Sequence, residues 1–220
     1  MDPVVSFIIP TLNEKRNILP CLDSLSRQTY PHDRMEIIIA DAESTDGTLD
    51  LIEQWREEHA IPVTVITNHR IIAEFGKAQA LKKSCGEYTC VLDCDEQLVQ
   101  DDAVACYVKA FDIFPDIVGV EQHFLKVPGG HPLNNYLALA HINDPLARDI
   151  AGKPKLVNKQ TVDGNVYREF EFSPAYPALL FHKRETIQEL IDSDTYEEGQ
   201  VMLHLALSGK NRMCMIDGYG

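Results

Sequence analysis

Two aspartates, Asp93 and Asp95, are well placed for metal chemistry because they directly follow the apolar segment Tyr88–Leu92. If that strand-like segment continues in extended form, both carboxylates point the same way, roughly 6 to 7 Å apart. Mg²⁺ and Mn²⁺ favour carboxylate oxygens and leave positions open for substrate phosphates. The pair therefore predicts a divalent cation that binds a nucleotide diphosphate. The alternative is that these acids are turn or capping residues.

Two further polar clusters follow strand-like segments. Residues 10–14, Pro-Thr-Leu-Asn-Glu, come after the apolar segment Val4–Ile9, and Asp41 comes after Met35–Ala40. Because the carboxyl ends of parallel strands meet at one edge of a sheet, we expect all three clusters to converge there. The local alternatives are a turn acid before a helix for Asp41 and a loop hydrogen-bonding pair within residues 10–14.

The elements that must position these residues alternate between strand and helix. The predicted strands are Val4–Ile9, Met35–Ala40, Val63–Thr67 and Tyr88–Leu92, and the predicted helices are Ile18–Leu25, one after Ser44–Thr48, and Gly76–Ser84, which Gly86 should close. This order predicts an α/β fold whose mostly parallel sheet has right-handed crossovers and is flanked by helices.

The second half of the chain has a looser pattern. We predict helices at Val104–Phe114, Glu185–Ile191 and Gly199–Leu207, and strands at Ile117–Val120 and Met213–Ile216. The stretch Val127–Val166 is rich in Pro and Gly and should be loop or short helices, and long ordered loops are usually functional. At 220 residues we expect one domain, divided into residues 1–96 and 97–220.

Composition narrows the classes of function. A formal net charge of -14 argues against nucleic-acid binding, because phosphate backbones are bound by surplus Lys and Arg. An acidic chain that binds phosphates needs a local cation, which carboxylates could hold. There is no apolar run of roughly 20 residues and no signal-peptide pattern. The six cysteines form no Cys-x-x-Cys pair. We therefore expect a cytoplasmic protein with reduced thiols.

Three segments together resemble the family 2 inverting glycosyltransferases of the GT-A fold. Residues 6–14 resemble that family's first strand and loop, residues 39–48 its second strand and turn, and residues 86–96 its strand ending in an Asp-x-Asp motif. None of the three is specific alone, but their order and spacing are. The resemblance implies a single catalytic domain that binds a nucleoside-diphosphate sugar, with residues 1–96 holding the nucleotide sugar.

The resemblance also implies roles for individual residues. Nucleotide binding is implied for Pro10, Thr11, Asn13, Glu14, Asp41, Lys77, Asp93, Cys94 and Asp95. Asp95, with Asp93 nearby, would bind Mn²⁺ or Mg²⁺ at the diphosphate, whereas Thr11, Glu14 and Asp41 would border the base and ribose. For Lys77 a second interpretation stays open, namely a solvated cation near a helix end.

The resemblance places the catalytic base in the second half, at Glu198 or its neighbour Glu197. Glu198 stands where the family generally has Asp, and His204 where it often has Arg. The alternative is that both glutamates are first-turn acids favoured by a helix dipole. The implied reaction is sugar transfer to a saccharide, lipid-linked or other hydroxyl acceptor, with inversion. Because the Gln-x-x-Arg-Trp pattern of processive synthases is absent, we expect transfer of one sugar at a time.

Other functions remain as alternatives at this point. A nucleotide-sugar-binding module without turnover would keep the same pocket. A haloacid-dehalogenase-like phosphatase also uses Asp-x-Asp, but it needs Thr or a similar residue where Gln97 stands. A sugar-phosphate nucleotidyltransferase would need a Gly-rich, Arg-containing loop after the first strand, but residues 10–14 contain neither Gly nor Arg. The family often continues beyond the point reached by Gly220, which leads us to expect an excised domain with peripheral membrane association through a further segment.

Overall fold

The computed structural model of the protein describes residues 4–121, 154–172, 181–192 and 198–219. The chain divides into two compact units. The first consists of Met1–Ala105 and His182–Glu197, and the second of Cys106–Phe181 and Glu198–Gly220. Every predicted site residue from Pro10 to Asp95 therefore belongs to the first unit.

Four strands of the first unit form a parallel sheet in the order β3-β2-β1-β4. They are β1 (Val5–Thr11), β2 (Met35–Asp41), β3 (Val63–Thr67) and β4 (Tyr88–Val91). Nearly all side chains of β1, β2 and β4 are buried, as expected for apolar strands covered on both faces. The predicted parallel arrangement of this half is confirmed.

The strand order reverses at β1. The chain proceeds from β1 to β2 and β3 on one side, and then crosses to place β4 on the other side of β1. In open α/β sheets a ligand-binding crevice forms outside the carboxyl ends of the strands at such a reversal. The ends of β1 and β4, near Thr11 and Asp93, flank this crevice.

Pro10 was predicted to stop the first strand, and that prediction was wrong. β1 continues through Pro10 and Thr11, which pair with Ala40 and Asp41 of β2. Proline is tolerated because β4 pairs with β1 only as far as Ile8. Beyond that residue the amide hydrogen that Pro10 lacks has no strand to reach.

Six α-helices and one short 3-10 helix lie among the described residues. They are α1 (Ile18–Ser26), the 3-10 helix His32–Arg34, α2 (Thr48–Glu58), α3 (Ala73–Lys83), α4 (Ala103–Ile113), α5 (Arg184–Asp192) and α6 (Glu198–Leu207). α3 packs on β1 and β2. A Cβ at Gly76 would lie 2.8 Å from Asn68 Nδ2 and 3.1 Å from Ala40 Cβ. Glycine therefore lets α3 approach the sheet closely.

Gly86 does not close α3 as predicted. The helix ends at Lys83, and the cap is Ser84, whose N–H donates to the carbonyl of Ala80. Gly86 is needed for another reason, because a Cβ there would lie 2.8 Å from the backbone nitrogen of Ser6 and still closer to its hydroxyl. Its N–H donates to Ser6 Oγ at 2.8 Å, so Gly86 brings the start of β4 against β1.

The second unit contains a mixed sheet. Its strands are β5 (Gly119–Glu121), β6 (Lys155–Val162), β7 (Asn165–Glu171) and β9 (Arg212–Ile216), in the order β5-β9-β7-β6. Of β8 (Phe181–Lys183), Phe181 is assigned to the second unit and the other two residues to the first. β5 and β9 are parallel, whereas β9, β7 and β6 pair antiparallel. Among the described residues, no helix is long and apolar enough to cross a membrane.

The β6–β7 hairpin corrects the prediction of loop or short helices before Val166. β6 has exposed side chains on both faces, so its sequence lacks the alternation that indicates a half-buried strand. The sequence did carry a turn signal in the Asp-Gly pair Asp163–Gly164. Both residues have positive φ (51° and 86°), the conformation that an Asp-Gly hairpin turn requires. Residues 127–153 of the predicted loop stretch lie outside the described residues.

Candidate active site

Asp41 ends β2 with a buried carboxylate, and the residue is 3% exposed. Its Oδ2 accepts a hydrogen bond from the Ser44 amide at 2.9 Å, which is the turn role considered for it. Its Oδ1 is buried, and no donor from the described part of the chain reaches it. A buried carboxylate oxygen without a donor is costly. Asp41 is therefore suited to accept a hydrogen bond from an N–H or O–H group of a ligand.

Asn13 joins the loops that follow β1 and β2. Its N–H donates to Ser44 Oγ at 2.8 Å, and its Oδ1 accepts from the Thr45 amide at 2.9 Å. Asn13 also has a positive φ of 55°, as do Glu43 (61°) and Ile71 (58°) in the loops after β2 and β3. Non-glycine residues rarely adopt this conformation, and such residues cluster at ligand sites. Three of them occur at one edge of this sheet.

Glu14 lies just before the turn that precedes α1, whose N-cap is Asn17. Its carbonyl accepts the amide hydrogen of Ile18 at 2.9 Å, and its Oε2 accepts from Asn17 Nδ2 at 2.8 Å. The side chain is thus already bound to the N-cap residue of α1. The structure gives Glu14 a local role next to Thr11 at the end of β1.

Thr11 and Cys94 connect the ends of β1 and β4. Thr11 Oγ1 lies 3.2 Å from Cys94 Sγ, and Cys94 donates to the Pro10 carbonyl at 3.1 Å. Both residues are buried, and burial is the main cause that raises the pKa of Cys94 to about 12. The thiol therefore stays protonated at neutral pH. The Cys94 side chain points inward and binds the β1 loop.

Asp93 and Asp95 lie on a turn, so the prediction of an extended segment was wrong. β4 ends at Val91, and the amide of Glu96 donates to the Asp93 carbonyl at 2.9 Å. The Glu96 carboxylate accepts the Asp93 amide at 3.1 Å. We call residues Asp93–Glu96 the acidic turn. Asp93 and Asp95 are both exposed on this turn. The predicted arrangement, with both carboxylates pointing the same way from an extended strand, is therefore not formed.

Lys77 lies inside α3 and is buried, with 8% of its side chain exposed. Its Nζ lies 3.4 Å from Asp93 Oδ1. This position excludes the solvated helix-end cation that the sequence left open. Buried ammonium groups need a partner, and Asp93 of the acidic turn supplies a carboxylate to this one. The structure thus brings Lys77 and Asp93 together at the crevice beside β1.

The electrostatics of the acidic turn favour a cation. The pKa of Glu96 is raised to about 7, chiefly by burial and further by the charges of Asp93 and Asp95, while Lys77 lowers it. Within the described ranges, no group of three or more His, Cys, Asp or Glu side chains forms a closed metal site. Mg²⁺ commonly binds one or two carboxylates together with substrate phosphates. Asp93 and Asp95 fit such an open arrangement.

Asn68 is a site residue that the sequence analysis missed. Its amide donates to the Asp41 carbonyl at 2.7 Å, and its Nδ2 donates to the Ile72 carbonyl at 2.8 Å just before α3. In the same loop the Arg70 guanidinium lies 4.1 Å from the centre of the Phe75 ring. The sequence carried a signal for Asn68, because it is a polar residue at the carboxyl end of a strand, directly after β3, just as Asp41 is the last residue of β2.

Glu198 is the first residue of α6, in the second unit. The helix begins one residue earlier than the predicted Gly199, which puts Glu198 in its first turn. Glu197 lies outside the described residues. The assignment of a catalytic base to Glu198 or Glu197 stays a prediction.

Solved structures share this fold. Staphylococcus aureus TarS 1–349 in complex with UDP aligns with a TM-score of 0.64 and 16% identity, covering 98% of this chain and 59% of TarS. The mannosyltransferase PcManGT from Pyrobaculum calidifontis, in complex with GDP-Man and Mn²⁺, aligns with a TM-score of 0.66 and 23% identity, covering 98% and 57%. The predicted α/β fold of the GT-A type is confirmed.

A curated relative is more similar in sequence. A Methanococcus voltae enzyme is 32% identical over 120 residues, 53% of this chain and 37% of that protein. Its name is dolichyl N-acetyl-α-D-glucosaminyl phosphate 3-β-D-2,3-diacetamido-2,3-dideoxy-β-D-glucuronosyltransferase. The matched part of this chain thus spans well under half of that relative. Residues 6–143, more than half of the chain, match the family described as Glycosyl transferase family 2. This match includes the ends of β1 and β2 and the acidic turn. The chain therefore belongs to glycosyl transferase family 2.

Proposed function

We propose that this protein transfers one sugar from a nucleoside-diphosphate sugar to a hydroxyl acceptor, with inversion at the anomeric carbon and with a divalent metal ion. The observation that carries the proposal is the buried Oδ1 of Asp41, which lacks a donor and lies at the end of β2. Uracil and guanine both present ring N–H groups that could satisfy it. UDP and GDP-Man are the nucleotides in the two similar structures.

The diphosphate is assigned to the other side of β1. Lys77 supplies a buried ammonium there, and Asp93 and Asp95 supply carboxylates on the acidic turn. Asp93 and Asp95 would hold Mn²⁺ or Mg²⁺, which when bound neutralises charge on the departing diphosphate. The ammonium of Lys77, inside α3, would neutralise part of the same negative charge. The base and the phosphates would then lie on opposite sides of the β1 end.

The acceptor hydroxyl needs a base, and we assign Glu198 to this role, with Glu197 as its neighbour. The assignment follows the family resemblance. A carboxylate that takes the hydroxyl proton makes the oxygen a better nucleophile. Inversion requires attack from the face opposite the leaving group. The acceptor class, saccharide or lipid-linked, follows only by analogy with the named relative.

Thermal shift with nucleoside diphosphates tests the donor part of the proposal. UDP, GDP, ADP and CDP are compared with Mn²⁺ and with EDTA, since a ligand that binds the folded state raises the melting temperature. We expect one nucleotide to stabilise the protein, and to do so more strongly with Mn²⁺. If no nucleotide stabilises the protein under either condition, the donor assignment fails.

Donor hydrolysis separates an enzyme from a binding module without turnover. A glycosyltransferase should release nucleoside diphosphate slowly from its donor sugar in Mn²⁺, whereas a binding module should not. Anomeric analysis of the product by NMR tests inversion. The phosphatase alternative is not favoured, because the family match covers the acidic turn on which it depended.

A further inference from the structure

The carbonyl of Pro10 would lack a partner if Cys94 were absent. The carbonyl of Ile8 accepts the amide of Leu92 at 3.0 Å, so it faces β4. Alternate carbonyls of a strand point to the same side, so the Pro10 carbonyl also faces that side. β4 ends at Val91, too early to pair with it. The thiol of Cys94 fills this place at 3.1 Å.

The same thiol fixes the Thr11 hydroxyl. A thiol carries one hydrogen, and that of Cys94 is donated to Pro10. The contact of 3.2 Å between Thr11 Oγ1 and Cys94 Sγ is then made by the hydroxyl hydrogen of Thr11. Cys94, the second residue of the acidic turn, is thus attached twice to the end of β1.

Glu96 closes the acidic turn from its other end. Its Oε2 accepts the amide hydrogen of Asp93 at 3.1 Å, and its own amide donates to the Asp93 carbonyl at 2.9 Å. These two bonds join the first and last residues of the turn. Neither bond uses the carboxylates of Asp93 or Asp95, which remain exposed.

We propose that Cys94 and Glu96 are positioning residues for the diphosphate and its metal ion, which fix the backbone carrying Asp93 and Asp95 without contacting either ligand. The inference rests on the proposed function, since it concerns the same diphosphate site. It explains why a buried thiol and a partly buried carboxylate occur inside a short turn. Within the acidic turn, it assigns binding of the metal to Asp93 and Asp95.

Substitution of Cys94 tests the link to β1. Cys94→Val keeps an apolar side chain of similar size but removes both hydrogen bonds to the end of β1, whereas Cys94→Ser keeps a donor and an acceptor. The probe is inorganic pyrophosphate with Mn²⁺, measured by titration calorimetry, because it needs no knowledge of the base. We expect Cys94→Val to bind about five- to tenfold more weakly, a loss on the scale of such hydrogen bonds. Cys94→Ser should stay within about threefold of the parent.

Cys90→Val is the matched control, because Cys90 is also a buried cysteine of the same segment but lies within β4, before the turn. It should leave pyrophosphate affinity unchanged. If Cys94→Val binds as tightly as the parent, or if Cys90→Val loses as much affinity, Cys94 has no positioning role.

Glu96 is tested with Gln and Leu. Glu96→Gln keeps an oxygen that can accept the Asp93 amide, so a positioning role predicts pyrophosphate affinity within about threefold of the parent. Glu96→Leu should lose about five- to tenfold. A loss in Glu96→Gln as large as in Glu96→Leu would instead make Glu96 a metal ligand and overturn its part of the inference.

The parent protein separates failure of this inference from failure of the proposed function. If the parent binds Mn²⁺-pyrophosphate and the variants bind equally well, only the positioning roles fail. If the parent does not bind Mn²⁺-pyrophosphate, the diphosphate site itself is misassigned and both proposals fail.

Discussion

The ammonium of Lys77 and the carboxylate of Asp93 lie 3.4 Å apart, one inside α3 and the other on the acidic turn. Lys77 is nearly buried while half of the Asp93 side chain is exposed. A chain with a net charge of -14 thus keeps a fixed positive charge beside the residues proposed to bind diphosphate. The pair also holds the turn against the helix that approaches β2 through Gly76.

Replacing Lys77 with Met should weaken binding of Mn²⁺-pyrophosphate by about tenfold or more, because a buried charge near phosphates is screened little by water. The comparison is Lys82→Met, the same change on an exposed residue of the same helix. Titration calorimetry gives both affinities. Equal affinities in the two variants would show that Lys77 serves only to pair with Asp93.

Stability should fall as pH rises through the titration of Glu96. Its pKa in the folded protein is about 7, above the usual 4.5, so the folded state binds more protons between these values. The free energy of unfolding should therefore decrease from about pH 4.5 to about pH 7 and then level off as far as this group is concerned. Urea unfolding in EDTA measures it.

Glu96→Gln provides the reference for this pH dependence, since an amide does not titrate. The part of the slope due to Glu96 should disappear in that variant. Lys77 lowers the pKa of Glu96, so Lys77→Met should move the titration of Glu96, followed by carbon-13 NMR, to higher pH. A parent and Glu96→Gln with the same slope would refute the raised pKa.

The sequence was sufficient for the parallel half of the fold because three of its four strands, β1, β2 and β4, are mostly apolar and buried segments. It could not give the conformation of the acidic turn, since that depends on hydrogen bonds of Glu96 and Cys94 with groups that become neighbours only after folding. The burial of Lys77 was hidden for the same reason. A lysine inside a helix shows no sequence signal that it faces a carboxylate.

The β6–β7 hairpin was missed for a different reason. Its first strand is exposed on both faces, so no hydrophobic pattern distinguished it from loop. Asn68 was missed although, like Asp41, it is a polar residue at the carboxyl end of a strand. These errors did not affect the prediction of an α/β fold, since that prediction depends on the alternation of strands and helices and not on any single element.

Asp41→Ala should weaken binding of the nucleoside diphosphate and leave pyrophosphate binding unchanged. The variant removes the buried Oδ1 proposed to meet the base, on the opposite side of β1 from the acidic turn. We expect about a tenfold loss or more, the scale of a hydrogen bond to a charged group. The ratio of affinities with and without Mn²⁺ should stay that of the parent.

Thr45→Ala is the control for Asp41, since it removes an exposed hydroxyl from the same loop while keeping the amide that binds Asn13 Oδ1. It should bind the nucleotide nearly as the parent does. Unchanged nucleotide affinity in Asp41→Ala would leave Asp41 with only its turn role.

Asp95→Asn should reduce the dependence of diphosphate binding on metal. The amide keeps the size of the exposed side chain and removes the negative charge that binds a divalent cation. In Mn²⁺ the variant should bind pyrophosphate at least about tenfold more weakly than the parent, and in EDTA the two should be similar. Manganese electron paramagnetic resonance gives the bound metal directly. Parent-like metal binding and turnover in Asp95→Asn would move the site elsewhere.

Glu198→Gln should lower turnover by about 10² or more and leave donor binding intact. Glu198 begins α6, and the amide keeps the size of the side chain but cannot take the proton of the acceptor hydroxyl. Product formation and nucleotide affinity are measured in parallel, because a base acts on the rate and not on the binding of the donor. Glu197→Gln is made alongside as the matched variant. Loss of turnover in Glu197→Gln with a normal Glu198→Gln would transfer the role to Glu197. Two active variants would show that the base comes from another segment, and that these glutamates serve the first turn of the helix.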